Sequence, residues 1–380
     1  MPKAVVWGAL LIAAAGGTAR AEDEAGDEAA LQVHGFASQG ALLTSDNNYL
    51  AHTEHGSLEF TEAGINFTRP FGDDLSVGLQ LFARDLGSTG SYSATFDWLY
   101  LDYHWQDWLG LRAGRVKLPY GLYNDTSDID AAHPVILLPQ SVYPAVNRNF
   151  MLAQTGLELY GYYPMGSAGA LDYHVYGGTL YLSIPDSSSL HINALEVPYI
   201  VGGRVMWETP VEGLRAAASV LNGEIEGRYT PLGMAPPMVV PFDVRATNWL
   251  SSIEYLRRGV LLAAEYGRSI GRSTIATSVT HTTSEHGYAL AGYRWRPWLQ
   301  NTVYFSLLFP NVRQRSGQEH HQYDAAGAVR FDISPHWILK FEAHFLRGTA
   351  ALSSELNDNR PLSDLVNQWW LVAAKTTVYF

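Results

Sequence analysis

Residues 109–117 read Leu-Gly-Leu-Arg-Ala-Gly-Arg-Val-Lys and set three cations, Arg112, Arg115 and Lys117, close together in one alternating segment. Tyr120 and Tyr123 follow, and the stretch to about residue 150 carries Asp125, Asp128, Asp130 and then Arg148. No nucleophile or general-base pattern accompanies them. The chain has no cysteine, no G-x-S-x-G and no H-E-x-x-H, so no catalytic residue, metal site or cofactor is expected. Glu319-His320-His321 offers metal-like donors but no third ligand position, and it is read as a solvated polar patch rather than a metal site. Opposed rows of fixed charge do a different kind of chemistry. Across an aqueous aperture they set up a transverse field that orients dipolar solutes, slows apolar ones and biases ion passage. The competing reading is that these charges only pair with one another along a polar wall.

Such an aperture needs a frame, and the rest of the chain alternates with period two. Leu75, Val77, Leu79, Leu81 and Ala83 alternate with Ser76, Gly78, Gln80, Phe82 and Arg84. Leu339, Phe341, Ala343 and Phe345 alternate with Lys340, Glu342 and His344. Successive side chains of a strand face opposite sides, so each segment has one apolar and one polar face. Short Pro/Gly or polar turns are expected at 69–74, 106–108, 164–169, 208–213, 257–259, 296–299 and 334–336. Longer links are expected at 44–56, 85–93, 118–150, 179–198, 222–243, 269–284, 310–318 and 347–366. Short and long alternate, which divides the chain into 16 strands and puts all long links at one end. The fold class read from this is all-β: a transmembrane antiparallel up-and-down β-barrel, with a long third loop folded into the lumen. The apolar run Val135-Ile136-Leu137-Leu138 in that loop calls for an inner wall to pack on.

Parity assigns Arg84, Arg112, Arg204, Arg215, Arg330, Lys340 and Lys375 to the inner wall. It does the same for Glu62, Asp97, Glu158, Asp172, Glu265, Asp332 and Glu342. A charge on the lipid face would cost roughly 2–4 kcal/mol at the midplane. Parity breaks near Gly114, so Arg115 and Lys117 face inward only if a bulge sits there.

Composition agrees with a wall that has one face in lipid and one in water. Only 16% of residues are charged, 12% are aromatic, and mean hydropathy is -0.07. The net charge of -12 argues against nucleic acid as a partner. Trp98, Trp105, Trp108, Tyr163, Trp207, Trp295, Trp298, Trp337, Trp369 and others fall near expected strand ends, as two interfacial girdles would require. Residues 1–21 read as a secretory signal: Lys3, an apolar run, and the small-x-small box Ala19-Arg20-Ala21. Residues 22–30 read as an acidic flexible arm, and 31–380 as the barrel.

Two segments carry a resemblance. Arg112-Ala-Gly-Arg-Val-Lys-Leu-Pro-Tyr-Gly-Leu-Tyr-Asn124, followed by Ile136-Leu-Leu-Pro-Gln-Ser-Val-Tyr143, resembles the strand-to-constriction-loop segment of 16-stranded Gram-negative porins. The group most similar is the phosphate-selective and related substrate-selective porins. The last strand alternates to Phe380, which looks like the terminal strand of Gram-negative outer-membrane proteins. The resemblance implies a passive channel in the Gram-negative outer membrane, a homotrimer, and a third loop that narrows the pore. It also implies contact with outer-membrane lipid and lipopolysaccharide, and delivery to the barrel-insertion machinery through Phe380. Phosphate-selective relatives line the pore with arginines and a lysine cluster, whereas this chain has only Lys3, Lys117, Lys340 and Lys375. An outer-membrane barrel enzyme and a structural or adhesive barrel without an open channel are the rival readings.

Overall fold

The computed structural model describes residues 30–380 except 88, 183–189 and 233–237. The expected signal at 1–21 and nearly all of the acidic arm at 22–30 lie outside the described residues. Sixteen long strands follow in chain order: β1 Gln32–Thr44, β2 Thr61–Phe71, β3 Leu75–Leu86, β4 Thr95–Gln106, β5 Leu109–Lys117, β6 Ala153–Pro164, β7 Ala170–Thr179 and β8 Leu190–Glu208. The second half is β9 Leu214–Pro231, β10 Val240–Arg257, β11 Val260–Ile275, β12 Ser278–Arg296, β13 Leu299–Phe309, β14 Gln322–Ser334, β15 Trp337–Gly348 and β16 Gln368–Tyr379. A two-residue strand, Thr89–Gly90, pairs back onto the end of β3. Each long strand is antiparallel to its chain neighbours, and β1 closes the sheet on β16 from Phe36↔Tyr379 to Thr44↔Leu371. Closure removes both sheet edges, which a barrel in lipid requires because no water is there to satisfy open backbone groups.

The seven short connections, 72–74, 107–108, 165–169, 209–213, 258–259, 297–298 and 335–336, lie at one end, as the turn chemistry predicts. Barrels of this kind put short turns in the periplasm, which orients the wall. The loop end corrects three expectations. The link expected at 269–284 is a two-residue turn, because β11 and β12 stay paired up to Ile275↔Ser278. Strand pairing likewise takes up much of 179–198 and 222–243. Strands β8–β12 run 16–19 residues and the other long strands 9–13. A bilayer needs about 9–11 residues of a tilted strand, so five strands project beyond it by about 20 Å at about 3.3 Å per residue. Above the membrane both faces meet water, so apolar alternation fades. The Ser, Thr and Gly of 269–284 then look loop-like, while Thr, Ile and Val still favour extended backbone.

Side-chain facing follows parity along β15, where Ile338, Lys340, Glu342, His344 and Leu346 are buried inside and Phe341 and Phe345 are exposed outside. Trp105, Trp108, Tyr163, Trp207, Trp295, Trp298 and Trp337 are exposed beside the short turns and form the periplasmic girdle. Trp98 and Trp369 do not join a girdle: both are buried inside the barrel. Trp369 packs edge-on against Tyr49 of the first loop and donates to the Gly348 carbonyl.

The break at Gly114 is structural. Its φ is +127°, and a Cβ there would lie 2.4 Å from the Leu99 carbonyl oxygen. On the facing strand Asp97 is the extra residue of a bulge, where the register with β3 shifts between Gln80 and Leu81. Gly114→Ala is expected to destabilise the barrel by about 1–3 kcal/mol through backbone strain, read as a lower urea midpoint in detergent micelles. An unchanged midpoint would mean that the backbone relaxes without cost.

Candidate functional site

The third loop, residues 118–152, turns into the barrel at the end of β5 and crosses the lumen. Its apolar residues go where an inner wall exists. Ile136 and Leu137 pack with Leu346, Leu371 and Trp369 on one side, together with Tyr49 and Leu50 of the first loop. Leu118, Tyr120, Leu122, Val142 and Tyr143 pack on the other, against Tyr176, Ile200, Leu221, Leu250, Leu261 and Tyr288. The expected function of the run 135–138, packing a loop onto the wall, is what the structure shows.

Charges then fix the loop on the β2–β5 and β14–β16 wall. Lys117 Nζ lies 2.8 Å from Asp128 Oδ1, and Gln80 Nε2 donates to the same carboxylate at 2.8 Å. Burial works against the Asp128 carboxylate, but the Lys117 ammonium and the Arg148 guanidinium outweigh it and hold its carboxyl below the usual range. Asp130 meets Lys340 at 3.0 Å and Lys375 at 3.2 Å, and accepts from Thr377 at 2.8 Å. Lys340 also donates to the carbonyls of Asp130 and Val135, at 2.7 and 3.1 Å. Glu342 accepts from the backbone N–H groups of Ile136 and Leu137, at 2.5 and 3.2 Å, and contacts His344, which lies 3.0 Å from Asp324. Arg330 donates to the carbonyls of Ala131 and His133, at 2.6 and 3.1 Å. Burial pushes the His133 imidazole down to about 4, so it is neutral at pH 7 and its Nε2 donates to the Thr126 carbonyl. Arg148 reaches back to Asp97 with two hydrogen bonds, 3.0 and 2.6 Å, over the Phe82 ring.

The other arm of the loop meets the opposite wall. Gly121, at φ +64°, has Tyr143, Leu250 and Glu265 so close that a Cβ would lie within 2.8 Å of all three. Its N–H donates to Ser219 at 3.0 Å, and its carbonyl accepts from Arg204 at 3.1 Å. Glu265 of β11 accepts from the Leu122 N–H at 2.9 Å, Ser252 at 2.5 Å and Tyr288 at 2.8 Å, and from the Tyr143 hydroxyl. Tyr123 donates to Glu254, which pairs with Arg215 at 2.8 Å.

On the periplasmic side of this septum lies a cavity of about 620 Å³, lined by Arg204, Arg215, Arg294, Arg330, Asp125, Asp172, Glu208 and Glu254. Nearby, a charge ladder crosses five strands, β4 to β8. Arg112 bridges Asp102 (3.1 Å) and Glu158 (3.2 Å), and Glu158 meets His174 (2.7 Å). His174 meets Asp172 (3.2 Å), and Arg204 joins Asp172 (3.8 Å) to Asp125 of the loop (3.2 Å). On the extracellular side a second cavity, about 330 Å³, is lined by Tyr120, Gln140, Ser141, Asn248, Ser284 and His286 among others.

The sequence-selected residues thus fall into three groups. Lys117, Asp128, Asp130, Arg148, Arg84, Arg330, Lys340, Glu342 and Lys375 meet where the loop joins the wall. Arg112, Arg204, Arg215, Tyr123 and Asp125 border the periplasmic cavity or its ladder, and Tyr120 the extracellular one. Arg115 stands apart, in register with Leu99 and Thr155 and donating to the Asp97 carbonyl at 2.9 Å. Residue type and spacing do not single out Tyr143, Asp102, Glu254, His174, Asp324 or His344 as site residues. The parity that selected Arg112 and Lys340 also reaches Asp102, Glu254, Asp324 and His344; only the fold puts Tyr143 against Glu265.

No protein-family model and no curated protein matches the sequence. Solved structures do match. Outer-membrane expressed OmpT of Vibrio cholerae superposes with a TM-score of 0.61 at 9% identity, over 94% of this chain and 100% of that one. An anion-selective porin from Comamonas acidovorans gives 0.59 at 11%, over 93% and 100%. Salmonella typhi OmpF, in complex with daunomycin, gives 0.61 at 13%, over 93% and 98%. At these identities the likeness is one of fold. The chain is a closed 16-stranded antiparallel barrel with the fold of the Gram-negative outer-membrane porins.

Proposed function

We propose that the protein is a passive channel of the Gram-negative outer membrane for small hydrophilic solutes and ions, and that the third loop is its selectivity element. The observation that carries this reading is the pair of cavities on either side of one loop-to-wall septum, inside a barrel wide enough to leave an aqueous lumen. Arginines and carboxylates line the periplasmic cavity together, several as ion pairs, so the local field there, and not net charge, sorts solutes. We assign the constriction to the loop and its partners and read its arginine side as giving a preference for small anions or carboxylates. The Comamonas neighbour is described as anion-selective. Liposomes carrying the purified protein are expected to swell in small sugars and not in large ones. No flux of any solute would sink the channel reading.

The same reading includes a homotrimer in the membrane, an envelope of lipid and lipopolysaccharide, export by the 1–21 signal, and insertion through the strand ending in Phe380. Arg112 holds Asp102 and Glu158 apart, so Arg112→Ala leaves two carboxylates beside the path. Reversal potentials in a salt gradient are expected to move toward cations for Arg112→Ala. Arg115→Ala, at a residue that donates to the Asp97 carbonyl and lies outside the ladder, is expected to move them less. Equal shifts for both would contradict the ladder's role.

A further inference from the structure

We propose that a small inorganic anion, a halide or single oxyanion, binds behind the third loop against Arg84. Arg84 is buried, and its Nη1 donates to the Ala145 carbonyl at 3.1 Å. Its Nε and Nη2 are buried with no partner, and no carboxylate lies within ion-pair distance of it among the described residues. Arg84 lines a cavity of about 80 Å³ between loop and wall, shared with Arg148, Lys375, Glu62 and Asp130. A cavity of that size holds several waters or one small anion, since a water needs about 10–15 Å³.

The charge count around the cavity leaves one cation over. Lys117 is taken by Asp128, Arg148 by Asp97, and Lys375 by Glu62. Lys340 is taken by Asp130, which Lys375 also touches. Arg84 has no acid left. A buried lysine in this position could shed its proton; an arginine cannot. Glu62, opposite Arg84 across β2 and β3, and Asp97 act on it only from beyond ion-pair distance. Burying a charge without a direct partner is unfavourable, so a mobile anion that fits the cavity lowers the free energy of the closed loop. Such an anion sits behind the loop, between it and β2, β3 and β16, and acts as a clamp on the loop. This proposal is independent of solute passage.

The test uses the full-length barrel in detergent. Crystals grown in sodium bromide are expected to show an anomalous peak against the Arg84 guanidinium, absent in Arg84→Gln. In solution the melting midpoint is expected to rise saturably as bromide replaces gluconate, which is too large for the cavity, at fixed ionic strength. Arg84→Gln, and Arg84→Met if the glutamine variant folds poorly, are expected to lose that dependence. No bromide at Arg84, a peak that persists in Arg84→Gln, or the same bromide dependence in wild type and variant would each overturn the proposal.

Discussion

Replacing Glu265 with alanine is expected to raise single-channel conductance severalfold and to lower the melting midpoint. One carboxylate holds the Leu122 N–H, Ser252, Tyr143 and Tyr288 at the septum between the two cavities. Its removal strands four buried donors, each costing about 1–3 kcal/mol if left unpaired. Water entering between loop and wall relieves that cost, and the same water widens the path. Glu265→Gln replaces one acceptor oxygen with a donor and is expected to fall between the two. Planar-bilayer recordings that show wild-type conductance for Glu265→Ala would mean that solutes pass elsewhere than this septum.

Replacing Lys340 with methionine is expected to cost about 3–5 kcal/mol, the usual penalty for leaving one member of a buried ion pair alone. Lys340 is fully buried and serves the Asp130 carboxylate as well as the carbonyls of Asp130 and Val135. It therefore fixes both the charge and the backbone of the loop at its attachment to β15. Urea unfolding of Lys340→Met, Asp130→Asn and the double variant should give a strongly non-additive cycle, because the residues share one network. Additive effects would show that the pair does not act as a unit.

Much of this architecture is legible along the chain because a membrane wall repeats one constraint. Each strand needs a lipid face and a water face, so β3 and β15 announce themselves by strict alternation, and the turns between strands by Pro and Gly. The constraint ends with the bilayer, which is why 269–284, where β11 and β12 rise into water, reads as a loop and is a paired hairpin. Aromatic position alone misleads in the same way: Trp98 and Trp369 sit near strand ends in sequence but on the inner face, Trp369 by the parity of its strand and Trp98 beside the bulge at Asp97.

The candidate site divides along the same line. Residue type and period determine by themselves that Arg112, Lys340, Glu342 and Glu265 face the lumen, and that the run 135–138 must pack on something. They do not determine partners. Asp130 is 210 residues from Lys340, and Leu122 is 143 from Glu265. Pairings at that separation depend on barrel closure and on the path of one loop across the lumen. Whether opposed charges stand free as a field or meet as ion pairs therefore belongs to the tertiary structure. Lipid and water act on each residue locally and leave a periodic trace, whereas a contact across the lumen leaves none.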